Sequence, residues 1–254
     1  MKYKKLFITI LAFVFVITFT YSLSASKIEA PKTVEGLPLI QKIEINDISK
    51  YTIVNRSLVV PKDILNKKKI VLLTIDDGPS KRTLDIIDIL KRHNASAIFF
   101  INGINDKNNQ GIIKQINKEG FVVGNHTWSH LNLKKEKDAN IIDDEIIKNG
   151  ELINKKTGSF PRFFRAPYGE STPYVRKFVK DNGMIMMDWS GAALDWTKTS
   201  HEKDIFVSNV TNTLHSGSII LIHEHPWSVS NLDALLTTME SKGYTYVNPN
   251  NIIE

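Results

Sequence analysis

Seven short apolar runs recur between residues 69 and 249 and alternate with stretches of helical rhythm: KIVLLTI, ASAIFFIN, FVVGN, RFFRAP, MIMMDW, SIILIH and YTYVNP. Most lack the polar–apolar alternation of a strand with one wet face. They predict strands covered on both sides, as in a parallel sheet or barrel with helices outside, an α/β fold. The intervening segments suit that role. Leu84, Ile87 and Leu90 share one face of residues 80–94, with Ser80 a candidate N-cap and Asn94 a stop. Further helices are expected near residues 109–120, 134–156, 172–183, 202–214 and 232–243. At 254 residues, 42% of them hydrophobic, the chain has length and core material for one such barrel.

In parallel α/β architectures the chemistry collects beyond the carboxyl ends of the strands. The first run ends in Asp76 and Asp77, followed by Gly78 and Pro79. Adjacent carboxylates repel unless a proton or a cation sits between them, although Asp-Gly-Pro is also ordinary turn chemistry. His126 and His130 follow the third run, four residues apart. On a helical turn that spacing sets two imidazoles about 5–6 Å apart on one side, able to share an ion. Arg165 and Tyr168 end the fourth run, Asp195 and Trp196 follow the fifth, and Leu221 and His223 belong to the sixth. Taken singly, each has a structural explanation: a surface ion pair for Arg165, a turn around Tyr168, a satisfied core histidine for His223. Taken together, acid–base and metal-binding groups at five strand ends point to one functional rim. His225, two residues past His223, is expected on the opposite face if that strand continues.

Composition narrows the chemistry. With no cysteines there are no disulfides, no thiolate ligands and no cysteine nucleophile, so any metal must be held by His, Asp or Glu. Residues 1–26 read as a signal peptide or membrane anchor: a basic MKYKK, an apolar stretch over 6–23, then small residues. Lys2, Lys4 and Lys5 would stay cytoplasmic and the remainder would lie outside, with cleavage and anchoring both open. Residues 27–68, with Pro31, Pro38 and Pro61, read as a stalk and lead-in to a domain over 69–254, with one or two short strands in SKYTIVNRSLVV. The formal charge is +6, and residues 1–26 hold three lysines and no acids, which leaves +3 beyond them. That is compatible with an anionic envelope and gives no nucleic-acid footprint.

In this order and spacing TIDDGP, HTWSH, RAPYG, DW and LIH resemble the five motifs of the polysaccharide deacetylase family, also called the NodB-homology domain or carbohydrate esterase family four. The resemblance covers about residues 69–250. It implies a distorted (β/α) barrel with about seven parallel strands. It also implies removal of acetyl groups, mostly N-acetyl from N-acetylglucosamine units of peptidoglycan or chitin, with some members cleaving O-acetyl esters of xylan. By resemblance Asp77, His126 and His130 bind a divalent metal, and Asp76 is the general base, oriented by Arg165. The backbone N–H of Tyr168 supports the oxyanion, His223 is the general acid assisted by Asp195, and Trp196 and Leu221 wall the acetyl pocket. The ligand set suits Zn2+, and Co2+, Ni2+ or Mn2+ also fit.

Two positions depart from the family pattern. Ile75 stands where the first motif usually has Phe, and Ala192 where the fourth commonly has Asp, a change expected to weaken a loop contact. The reading is an extracytoplasmic monomer, secreted or anchored, acting on a cell-wall polysaccharide, peptidoglycan first, and touching the membrane only through its N-terminus. An O-acetyl esterase and a non-catalytic carbohydrate-binding relative are the alternatives. The intact set of base, acid and metal-binding residues argues against the last. Which sugar is deacetylated, N-acetylglucosamine or N-acetylmuramic acid, stays open.

Overall fold

The computed structural model describes residues 49–253. Its strands are β1 (Tyr51–Val54), β2 (Leu58–Pro61), β3 (Lys69–Gly78), β4 (Ala97–Ile101), β5 (Val122–Asn125), β6 (Phe163–Phe164), β7 (Ile185–Met186), β8 (Gly191–Ala192), β9 (Ser218–His223) and β10 (Tyr244–Tyr246). Its α-helices are α1 (Thr83–Arg92), α2 (Ile112–Lys118), α3 (Ala139–Thr157), α4 (Pro173–Asp181), α5 (Lys203–Thr211) and α6 (Pro226–Ser241). One sheet follows the path β1-β2-β9-β3-β4-β5-β6-β7, with β8 added to β9 and β10 to β3. Pairings among β3 to β10 are parallel, whereas β1–β2 and β2–β9 are antiparallel.

All seven apolar runs therefore contain strands, but the expected barrel is an open half-barrel whose path ends at β1 and β7. One strand separates it from the sequence reading. The two-residue β8 was not foreseen, because Gly191–Ala192 carries no strand signature and pairs only through its position beside Ile220 and Leu221. The short strands expected in SKYTIVNRSLVV form the hairpin β1–β2, and Leu58 pairs with Ser218 at the start of β9. Residues 1–48, including the signal or anchor segment, lie outside the described residues. Within the described residues, no helix is long and apolar enough to cross a membrane.

Side-chain parity along β3 explains how a strand that is apolar on both faces still sorts its residues. Ile70 and Leu72 join an inner core with Ile98, Phe100, Phe163 and Ile219. Val71, Leu73 and Ile75 join the layer between sheet and helices, with Ile86 and Leu90 of α1 and Leu235 of α6. Successive residues of a strand face opposite ways. Thr74 and Asp76 therefore continue the inner series, and by the same count Leu221 and His223 follow Ile219 on β9, while Arg165 follows Phe163. Five polar or pocket-forming residues are thus carried towards the mouth of the half-barrel by strand geometry alone.

The helix ends also have local causes. The third helix begins at Ala139, not near 134, because Asn132 Oδ1 accepts the N–H groups of Lys134 and Lys135 and holds that stretch in a turn. Asp138 then caps the helix by accepting from Asn140 N at 2.9 Å. Ser80 is displaced from the cap position, since α1 starts at Thr83, but its hydroxyl still accepts from Arg82 N at 3.0 Å.

Candidate metal centre and catalytic cleft

At the carboxyl ends of the strands lies a cleft of about 460 Å³ lined by Asp76, Asp77, His126, His130, Tyr168, Trp196, Leu221 and His223. Ala166, Trp189 and His225 complete its wall. Of the residues singled out in the sequence, only Arg165 and Asp195 are absent from the lining, because both are fully buried directly behind it.

Asp77, His126 and His130 each offer a ligand atom, and these atoms all lie within 4.8 Å of one another. His126 Nε2 is 3.5 Å from Asp77 Oδ1, and His130 Nε2 is 3.4 Å from it. The other ring nitrogen of His126 stands 2.8 Å from the Arg165 carbonyl, which can only accept, so Nδ1 carries the proton. Nε2 then presents a lone pair to the carboxylate. Burial first, with the neighbouring positive charges, pulls the His126 pKa down to about 3 against the attraction of Asp77, so the imidazole stays neutral. Asp77 Oδ1 is buried without a hydrogen-bond partner. A buried carboxylate oxygen without a hydrogen-bond partner, facing two imidazole nitrogens, fits a cation, and the donor set of one oxygen and two nitrogens suits a divalent metal of the zinc type.

The histidines do not reach this geometry on a helix. They follow β5 in a tight turn in which Thr127 has φ 68° and His130 φ 62°, and Thr127 Oγ1 accepts from His130 N at 3.1 Å. Their ring centroids are 5.0 Å apart, the separation expected of a helical turn but built by a different backbone. Asp77, Tyr168 and Leu194 also have positive φ. Left-handed non-glycine backbone persists only where surrounding bonds over-determine it, and here it concentrates at the turns that carry the site.

A bracket of asparagines, unforeseen from the sequence, supplies part of that constraint. Asn102 Nδ2 donates to the His126 carbonyl, and Asn102 N to Gly78 O at 2.8 Å. Asn105 Nδ2 donates to Asp77 O at 2.9 Å. One short 3-10 turn thus ties both ligand-bearing loops together. The run of asparagines over 102–109 was the available signal, but it reads equally as a solvated loop.

Asp76 sits beside these three donors. Its Oδ1 accepts from Arg165 Nη1 at 2.8 Å, and its Oδ2 is 3.7 Å from His126 Nε2. Arg165, with no exposed surface, also donates to Thr74 Oγ1 at 2.7 Å and to Asp188 O at 2.8 Å, and lies over the Phe100 ring at 4.5 Å. Burial raises the Asp76 pKa, more than Arg165 and His223 lower it. Across the cleft, Asp76 pairs in register with His223 on the neighbouring strand. His223 Nδ1 is 2.7 Å from Asp195 Oδ1. Burial works against its charge, but the bond to Asp195 and the carboxylates of Asp195, Asp76 and Asp77 push its pKa up to about 8.

The parity expected of His225 holds only while the strand continues, and it does not. The strand ends at His223, and His225 caps α6, so its ring turns back to line the same cleft, 5.8 Å from that of His223. Asp195, His223 and His225 also bring ligand atoms within 4.8 Å. That set is no second cradle, because Asp195 Oδ1 is committed to His223 Nδ1 and Oδ2 accepts from His223 N and Ser228 Oγ. Ala192 lies within β8 beside Leu221, in a strand and not in the expected loop. Trp196 is half exposed and meets His223 edge-on, with ring centroids 5.5 Å apart.

The comparisons agree with this geometry. Residues 64–187 match the family described as polysaccharide deacetylase. The chain is 38% identical over 183 residues to a peptidoglycan-N-acetylglucosamine deacetylase of Bacillus cereus, an alignment covering 70% of this chain and 66% of that protein. It is 31% identical over 237 residues to the peptidoglycan-N-acetylglucosamine deacetylase PgdA of Listeria monocytogenes, covering 89% of this chain and 49% of that one, about half its length. Among solved structures, the Bc1960 peptidoglycan N-acetylglucosamine deacetylase superposes with a TM-score of 0.67 at 36% identity, covering 72% of this chain and 87% of that one.

Proposed function

The chain belongs to the polysaccharide deacetylase family, and on that premise we propose that it is an exported, metal-dependent hydrolase removing N-acetyl groups from N-acetylglucosamine units of a cell-wall polysaccharide, peptidoglycan above all. One observation carries this reading. Three metal-fitting donors converge in a cleft with a buried carboxylate and a proton-bearing imidazole paired in register on adjacent strands.

Asp77, His126 and His130 would hold the ion, which when bound supplies Lewis acidity towards a carbonyl oxygen and acidifies water. Asp76 takes up the proton released by the attacking water. Its Oδ1 is fixed by Arg165, which leaves Oδ2 as the accepting atom, and burial raises its basicity towards the working range. His223 supplies the proton that an amide leaving group needs. With Nδ1 bound to Asp195 and a pKa near 8, it is protonated at neutral pH with Nε2 left for the sugar nitrogen. That feature favours amide over ester hydrolysis, since an alkoxide departs with less help. The backbone N–H of Tyr168 would steady the developing oxyanion, and Leu221 and Trp196 would enclose the acetyl methyl group.

Acetate release from purified peptidoglycan, chitooligosaccharides and acetylated xylan, each with and without exhaustive chelation, tests the reading. Chelator-sensitive release from the first two supports it. Release confined to xylan would establish the ester reading instead, and turnover untouched by chelation would remove the metal.

A further inference from the structure

Two of the most exposed large apolar side chains among the described residues are neighbours: Ile64, 81% exposed, and Leu65, 79%. They occupy the loop between β2 and β3, in the sequence Lys62–Asp63–Ile64–Leu65–Asn66–Lys67–Lys68, with three lysines against one aspartate. The loop has a defined form. Asp63 Oδ1 accepts from Leu65 N at 2.9 Å, Asn66 N donates to Asp63 O at 3.1 Å, and Asn66 Oδ1 accepts from Lys68 N at 3.1 Å. These bonds close the turn beneath the two apolar side chains and hold them outward.

Its place in the fold gives the loop a direction. It precedes the amino end of β3, seven residues before Asp76, which is roughly 23 Å at about 3.3 Å per residue. The cleft occupies the carboxyl ends, so loop and cleft lie at opposite poles. The described chain also begins at this pole: Asn66 Nδ2 donates to Ser49 Oγ at 3.3 Å, and Lys62 N to Lys50 O at 2.7 Å. In sequence the apolar stretch over residues 6–23 precedes this entry point.

We propose that the loop of residues 62–68 is a peripheral membrane contact: Ile64 and Leu65 enter the interface of an anionic bilayer, the lysines of the loop meet its headgroups, and the cleft faces away from the membrane. Apolar side chains flanked by basic ones bind by combining buried area with attraction to anionic lipid. The contact rests on the reading of residues 1–26 as a membrane tether, which brings the loop to the surface without supplying its orientation. Held this way, the domain presents its active cleft outward, towards the polymer.

The absence of cysteine permits a clean test. Leu65→Cys and, two residues beyond the cleft-lining Trp196, exposed Lys198→Cys are made separately in the full chain and labelled with an environment-sensitive fluorophore. Each is reconstituted with vesicles of phosphatidylglycerol and phosphatidylcholine, or of phosphatidylcholine alone. The contact requires a blue shift and quenching by bromolipid at position 65 but not at 198, several-fold weaker without phosphatidylglycerol or in Lys67→Gln/Lys68→Gln. Protein retained on vesicles with an unshifted probe at 65 would overturn the contact while leaving the tether intact. Protein left in solution would overturn both, and equal shifts at both positions would overturn the orientation. Acetate release in detergent reads the enzymatic assignment independently of every one of these outcomes.

Discussion

One carboxylate holds His223 twice: Asp195 Oδ1 lies 2.7 Å from His223 Nδ1, while Asp195 Oδ2 accepts from the backbone N–H of the same residue at 2.7 Å. Ring and backbone are fixed by a single buried group, so its removal should loosen the orientation and the charge of the imidazole together.

The first expectation concerns pH. Turnover needs Asp76 ionised and His223 protonated, which gives a bell-shaped profile whose alkaline limb falls near the His223 pKa of about 8. Asp195→Asn removes the charge that offsets burial, so that limb should move to lower pH and kcat should drop. An unmoved alkaline limb would detach His223 from proton donation. Stability follows the same linkage. The folded pKa lies above the ordinary 6.5, so the stabilisation is complete below pH 6.5 and is lost as pH rises through about 8. It amounts to on the order of 2 kcal/mol.

Asp76 and Asp77 should separate by measurement. Asp76→Asn is expected to lower kcat by about 10²–10⁴ with metal still bound, because it removes a proton acceptor and no ligand. Asp77→Asn should lose metal affinity as well. Metal titration calorimetry on both variants decides, and metal loss confined to Asp76→Asn would mean that the two roles are exchanged.

Arg165→Met tests the buried ion pair. It strips Asp76 of its partner where neither residue meets solvent, and breaking such a pair costs about 3–5 kcal/mol. Chemical denaturation should show that loss at neutral pH and a smaller one in acid, where Asp76 is protonated. A loss under about 1 kcal/mol would show that the carboxyl is already neutral in the native enzyme.

The asparagine bracket predicts a metal phenotype without a folding phenotype. Asn105→Ala deletes the bond to the Asp77 carbonyl at the partly exposed end of the bracket. Metal affinity should fall roughly 10–100-fold, as for other supporting hydrogen bonds. An unchanged affinity would confine Asn105 to stabilising its own loop.

Gly78→Ala probes the turn from the other side. A Cβ there would stand 2.4 Å from Glu224 Oε1, a carboxyl oxygen buried without a partner. Burial raises the Glu224 pKa to about 7, and Thr83 Oγ1 donates to its other oxygen at 2.7 Å. Overpacking should cost about 1–3 kcal/mol in thermal unfolding, and Glu224→Ala should recover much of it. No recovery would place the clash elsewhere.

Much of the site was legible because its architecture is repetitive. Uninterrupted apolar runs announce parallel strands, and the residues after them fall at one pole whatever the connections between. What escaped were features with no periodic signature. The two-residue β8 pairs because β9 runs beside it, and the two short strands before residue 69 show no partner until Leu58 is seen against Ser218. The place of His225 turned on whether its strand continued, and β9 ends at His223. Asn102, Asn105 and Glu224 act through backbone groups brought near by folding, and no spacing in the chain reveals that.

The sequence alone determined the order of the strand ends and the chemical types placed there, because both follow from short-range hydrophobic pattern and residue identity. It could not say which face of each strand is the interior. Residues such as Val71 and Leu72 are equally apolar, and only the closing of the sheet makes one layer the inside and the other the helix contact. That choice turns Asp76 towards Arg165 and His223 and leaves Asp77 to the two imidazoles, which is why two adjacent aspartates sit in different surroundings.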